Sequence, residues 1–198
     1  MSNFMDDENM QTLLQDLGDE AKDDEVVLNT ALVQYPDDAR LHFLKGSTYA
    51  GSGRLIEAHA ALTRAVDLSP DFHIARFQLG FFQLTSGESD NALKTWARLD
   101  GLPKDNYLRV FVIGLRHLIR DELEECLAEL QRGMSLNEDN LPLNNDMQLI
   151  ITQITPLIEA QAKENESTPA AGDDKKQASP DEASLTSILL QQSNQTSH

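Results

Sequence analysis

Between residues 39 and 136 one pattern returns every 34 residues, and no other feature narrows the folding options of this chain as far. Gly46, Gly80 and Gly114 keep that step, as do Leu28, Leu62, Trp96 and Leu130, and again Ala58, Ala92 and Cys126. Ala31 and Ala65 repeat it, and so do Pro36 and Pro70. A unit of this length holds two helices and a turn, and its apolar side needs a neighbouring unit to cover it. The apolar residues within each unit fall at helical spacing, which predicts helix pairs over Ala39 to Ala50 with Leu55 to Leu68, His73 to Thr85 with Ser89 to Leu99, and Asn106 to Ile119 with Glu122 to Met134. Gly53 and Gly87 suit the reversal inside the first two pairs, where a left-handed residue helps, and Asp121 stands there in the third. A small residue at Gly46, Gly80 and Gly114 lets the paired helix approach closely.

"ARLHFLKGSTYAGSGRLIEAHAALTRAVDLSP", Ala39 to Pro70, carries Gly46, Tyr49, Ala58, Ala65 and Pro70 in the arrangement of a tetratricopeptide (TPR) repeat, and this stretch resembles that family. The unit from His73 to Pro103 keeps Leu79, Gly80 and Ala92 and puts Trp96 at the large apolar site of its second helix. A third, from Tyr107 to Leu136, keeps Gly114, with Cys126 where Ala is usual. His42 and Arg76 replace the family's aromatic, and Lys45 its Leu. The resemblance implies an all-α fold, a right-handed α-α superhelix of about three to four TPR helix pairs closed by a C-terminal capping helix. It also implies a concave face lined by the first helix of each pair: here Phe43, then Ile74, Phe77, Phe81 and Leu84, then Leu108, Phe111, Leu115 and Leu118.

The remaining segments arrange themselves around the array. Residues 1–6 are expected to be disordered, and 7–36 to form a degenerate first pair, since Leu28, Ala31 and Pro36 lie on the 34-residue grid. With the repeats 39–70, 73–103 and 107–136, the array spans 7–137. The stretch 141–162 carries Met147, Ile150, Ile151, Ile154 and Ile158 on one stripe, which suits a capping helix started by Asn144 or Asn145, with a kink or restart at Pro156. Residues 163–198 form an acidic tail of disordered composition, with a candidate short helix over 180–192 that puts Leu185, Ile188 and Leu189 on one face. Too short to persist alone, that helix is a candidate docking tail.

Charge and chemistry exclude several function classes. The formal charge is -17, and residues 1–27 alone hold nine acids against one Lys. Such a surface repels phosphate, so neither nucleic acid nor an anionic membrane is an expected partner. The N-terminus lacks a basic start and an apolar run, no stretch of about 18 apolar residues occurs, and the lone Cys126 sits at a core position; a reducing, cytoplasmic setting fits. His42, His59, His73 and His117 lie in separate helices without ligand spacing, so no metal is expected. With no phosphate loop, no nucleophile motif and no cofactor signature, the chain reads as a non-enzyme.

That leaves binding. TPR modules that clamp acidic peptide tails line their concave face with Lys, Arg and Asn, whereas Phe, Ile and Leu stand at those places here. The helices at 73–85 and 107–119 are apolar on nearly every side, so something must cover them. The cover is either the chain's own helix at 147–158 or a partner's apolar helix or peptide. The first reading is therefore an adaptor that holds a protein or peptide with an apolar segment in its groove. Two alternatives stand beside it: a small acidic chaperone resembling the TPR chaperones of type III secretion translocators, and a subunit that self-associates through the tail at 185–190.

Overall fold

Three aspartates and an asparagine start four of the helices, because a short side-chain acceptor can satisfy the first free backbone N–H groups. In the computed structural model, which describes residues 4–19 and 21–167, Asp6 accepts from the N–H of Asn9 ahead of α1 (Asp7–Asp16), and Asp23 from Glu25 and Val26 ahead of α2 (Asp24–Gln34). Asp38 accepts from Arg40 at the start of α3 (Ala39–Gly51), and Asn106 from Leu108 at the start of α7 (Tyr107–Ile119). Between them run α4 (Leu55–Leu68), α5 (His73–Thr85), α6 (Ser89–Trp96) and a 3₁₀ turn at Ala97–Gly101; α8 (Leu123–Leu136) and α9 (Leu141–Ser167) follow. Among the described residues the fold is all-α.

The helix starts keep the sequence period. α3, α5, α7 and α9 begin at Ala39, His73, Tyr107 and Leu141, each 34 residues after the last, and α4, α6 and α8 begin at Leu55, Ser89 and Leu123 on the same step. The backbone enters the left-handed region at Gly53 (φ 72°), Gly87 (φ 82°) and Asp121 (φ 57°), again 34 apart. Asp121 thus takes a conformation that favours glycine. A Cβ on Gly46 would fall 2.7 Å from Leu62, on Gly80 2.2 Å from Trp96 and on Gly114 2.9 Å from Leu130. One contact recurs three times: a glycine on the first helix receives a large side chain from the second.

The chain divides into two compact units, Met1–Leu84 with Asp90–Trp96 and Thr85–Ser89 with Ala97–His198. In the first, α1 packs on α2, α2 on α3 and α3 on α4. Met5, Met10, Leu13, Leu28, Ala31 and Leu41 form one core there, and Leu62, Ala65, Val66, Ala75 and Leu79 a second between α4 and α5. In the other unit, α7 packs on α8 and α8 on α9. The aliphatic stripe of α9 is buried at Met147, Ile150, Ile151 and Ile154.

Three expectations change. Disorder over residues 1–6 does not extend to Met5, which is buried and whose N–H donates to the Asp38 carboxylate at 3.0 Å. α9 starts at Leu141, ahead of Asn144 and Asn145. Asn137 is the reason: buried at the α8–α9 corner, it donates to the Asn140 carbonyl and to the Asn144 side chain, both at 2.7 Å, and accepts the Asn140 N–H. Asn144 is therefore a tie inside the helix. Of the kink or restart expected at Pro156, the restart does not occur: α9 continues through it to Ser167.

Candidate protein-binding face

The nine side chains expected to line the groove separate by burial. On α3, Phe43 is half-buried and meets Phe72 edge-on, ring centroids 5.3 Å apart. On α5, Ile74 and Phe81 keep partial exposure, while Phe77 and Leu84 are buried. On α7, Leu108, Phe111, Leu115 and Leu118 are all buried. Six of the nine are therefore core in the folded chain and offer no surface. The accessible remainder, Phe43, Ile74 and Phe81, belongs to the first unit. Leu185, Ile188 and Leu189 lie outside the described residues.

Local packing accounts for the loss. Phe77 stacks on Trp96 with centroids 6.2 Å apart, and the Trp96 indole N–H donates to the Phe77 carbonyl at 3.1 Å. Both side chains are fully buried, so this part of α5 is fixed against α6. Phe81 stacks on Phe77 from the accessible side, at 6.2 Å. Phe111 lies over Gly133 so closely that a Cβ there would come within 2.4 Å of its ring, and Tyr107 meets it edge-on. Gly133 thus makes the seat for Phe111. What remains near the surface is a face on α5, with Ile74 and Phe81 seven residues apart and so on one side of the helix.

Two polar networks fix the first unit, and the sequence reading missed both. Asp38, almost fully buried, takes the N–H of Met5 and the guanidinium of Arg40, whose Nη2 also donates to the Met5 carbonyl. Burial alone would raise the Asp38 pKa, but the hydrogen bonds from Arg40 and Met5 outweigh it and hold the carboxyl below its usual range. Arg40 is engaged in this clamp. Farther along, Glu25 accepts from the Tyr49 hydroxyl at 2.8 Å and from Arg54 at 2.6 Å, and the Arg54 guanidinium sits 4.2 Å above the Tyr49 ring. These bonds tie α2 to α3 and to the start of α4. A sequence signal existed for the first network only in the pairing of a buried-position Asp with Arg two residues on.

The reactive side chains do not converge. Cys126 is buried, and desolvation pushes its thiol up to about 12, the reverse of what a nucleophile needs. His117 Nδ1 faces the Glu122 carboxylate at 2.6 Å beside Arg120, and His42 contacts the Pro36 carbonyl. Among the described residues no group of three or more His, Cys, Asp or Glu could hold a metal ion, and no helix is long and apolar enough to cross a membrane. Compared with known proteins, the chain matches no family model and no curated protein.

Proposed function

We propose that the chain is a TPR-type, non-enzymatic adaptor that binds an apolar helix or peptide of a partner protein on the accessible α5 face, around Ile74 and Phe81 with Phe43. The recurrence of helix starts, left-handed turns and glycine contacts at one 34-residue step supports the repeat reading. The observation that carries the binding reading is the partial exposure of Ile74 and Phe81 on a helix whose Phe77, Leu79 and Leu84 are core and whose half-buried Phe82 packs against the α4–α5 cluster. Covering such side chains completely contributes on the order of 1 kcal/mol each, half of the full burial value. A modest affinity follows, of the kind an adaptor needs.

A photo-crosslinking phenylalanine analogue at position 81 tests this, with the exposed Gln131 as the reference position. A partner captured from position 81 and not from 131 supports the face. Ile74→Asp with Phe81→Asp should keep helicity and abolish capture. Equal yields at both positions, or capture that survives the double substitution, would end the proposal. Phe111→Asp is the folding control, since it places a carboxylate where no side-chain surface is exposed and should lose helical signal.

A further inference from the structure

α2 is apolar on two sides, and only one of them is used. Leu28 and Ala31 are buried and Val27 packs against the same core, yet Val26 is 62% exposed and Val33 84%. A helix with apolar residues all round is ordinarily enclosed. Beside that open side, α1 and α2 bound a groove of about 350 Å³. Met5, Leu13, Val27 and Ala31, which are buried or half-buried, line it together with Asp16, Val26 and Thr30. Asn9, Thr12, Gln34 and Tyr35 complete the lining, so apolar side chains share the groove with a polar rim.

The surroundings select what can lie in it. Residues 1–35 carry nine acids and a single base, Lys22, and that base is spent on Asp16. We propose that the groove between α1 and α2 is a second docking surface, whose occupant is a partner helix bearing two apolar side chains one turn apart and Lys or Arg on its flanks. The apolar pair fills the groove, and the basic flanks meet the net negative charge of this end of the chain, an attraction that also speeds encounter. Other occupants fit less well. The chain's own tail presents Leu185, Ile188 and Leu189 behind Asp181 and Glu182, and a second copy would bring the same acidic end to the same place. Either choice sets like charges against each other. This inference stands independently of the α5 face.

The experiment uses the full chain and a fluorescent 18-residue peptide with leucines spaced one turn apart among lysines, followed by anisotropy, beside the same peptide with every Lys replaced by Glu. The Lys peptide should bind saturably at one per chain, and the Glu peptide at least tenfold more weakly. Val26→Arg with Thr30→Arg alters only exposed side chains and should weaken the Lys peptide at least tenfold, while Phe81→Asp leaves it unchanged. Hydrogen exchange should slow in α1 and α2 on binding. Equal binding of the Glu peptide, indifference to Val26→Arg with Thr30→Arg, or protection appearing in α5 would overturn the proposal. So would a dimer that the double substitution dissociates, or a tenfold gain in peptide affinity on deleting residues 168–198, since these outcomes would name a second copy or the tail as the occupant.

Discussion

Gly80→Ala is the sharpest test of the repeated glycine contact. The added Cβ would lie 2.2 Å from the Trp96 Nε1 and 2.6 Å from Cδ1 and Cε2, far inside the contact distance of about 3.5 Å or more. Trp96 has nowhere to go: it is fully buried, stacked on Phe77 and hydrogen-bonded to the Phe77 carbonyl. Overpacking of a core costs about 1–3 kcal/mol, and a rigid indole places this case at the upper end. Displacing the ring also breaks its hydrogen bond, about 1 kcal/mol more. Against this, Ala gains about 1 kcal/mol over Gly in a helix interior. The net loss is about 3 kcal/mol, or a fall in melting temperature of about 6–12 °C for a chain of this size.

The other two positions calibrate the reasoning. At Gly46 the obstacle is Leu62 Cγ at 2.7 Å with the Leu62 backbone nitrogen at 3.1 Å, so a loss of about 1 kcal/mol is expected after the helical gain. At Gly114 the nearest atom is the end of Leu130, at 2.9 Å, which can swing aside, and the two effects should cancel to about zero. Urea unfolding followed at 222 nm reads all three variants. Trp96 is the only tryptophan, so its fluorescence reports the first unit directly. Trp96→Leu, which installs the residue found at positions 62 and 130, should recover part of the Gly80→Ala loss, with a coupling of at least about 1 kcal/mol. If Gly80→Ala and Gly114→Ala agree within about 0.5 kcal/mol, or if no coupling appears, the steric account is wrong.

The remaining predictions concern backbone, charge and reactivity. Gly51 and Gly53 both have open space where a Cβ would go, but Gly51 is helical and Gly53 has φ 72°, so Gly51→Ala should raise stability by about 0.5 kcal/mol and Gly53→Ala lower it by about 1 in the same urea assay. The Asp38 carboxyl titrates lower in the folded chain than in the unfolded one, so its contribution is complete at neutral pH and drains away as pH falls through the folded value. Asp38→Asn should therefore cost about 1–3 kcal/mol at pH 7 and flatten the loss of stability below about pH 4, and an unchanged acid limb of the stability profile would refute the clamp. Cys126 should resist an aromatic disulfide reagent at pH 8 and react completely in denaturant; fast native reaction would show that the α8 core is open.

Much of the architecture is legible because the 34-residue step is imposed by geometry that side chains must respect. A glycine is required where Trp96 or a leucine crosses, and a residue tolerant of positive φ is required at 53, 87 and 121. Those needs leave marks at fixed intervals. Capping leaves weaker marks: the Asn137 knot starts α9 before the asparagines that looked like its cap, since an amide side chain reads the same whether it ties to a corner or opens a helix. The candidate face was the least legible part. Periodicity says that Phe77, Phe111 and Leu115 share a face with their neighbours, but it is silent on whether another element lies against that face. Likewise, nothing local to Asp38 indicates that its partner is a backbone N–H 33 residues earlier.

The contrast between α7 and α2 turns this into a rule about where binding belongs. Both helices are apolar well beyond one stripe. In α7 the excess is absorbed: Leu108, Val110, Phe111, Val112, Leu115 and Leu118 are all buried, and no large apolar side chain of the helix is exposed. In α2 the excess is left over, with Val26 and Val33 in water and acids nearby. An apolar side chain in the core repays its place through folding stability, whereas one kept at the surface gains nothing for the isolated chain. Substituting the two sets should therefore separate the two roles. Leu115→Ala should cost about 2–5 kcal/mol of stability, as buried leucines do. Val33→Ala should not lower the urea midpoint, and can raise stability by up to about 0.5 kcal/mol because Ala is the better helix former, so any loss it causes must appear in association. A Val33→Ala variant that unfolds as readily as Leu115→Ala would mean that α2 is covered within the chain, and the search for a partner on the first unit would lose its footing.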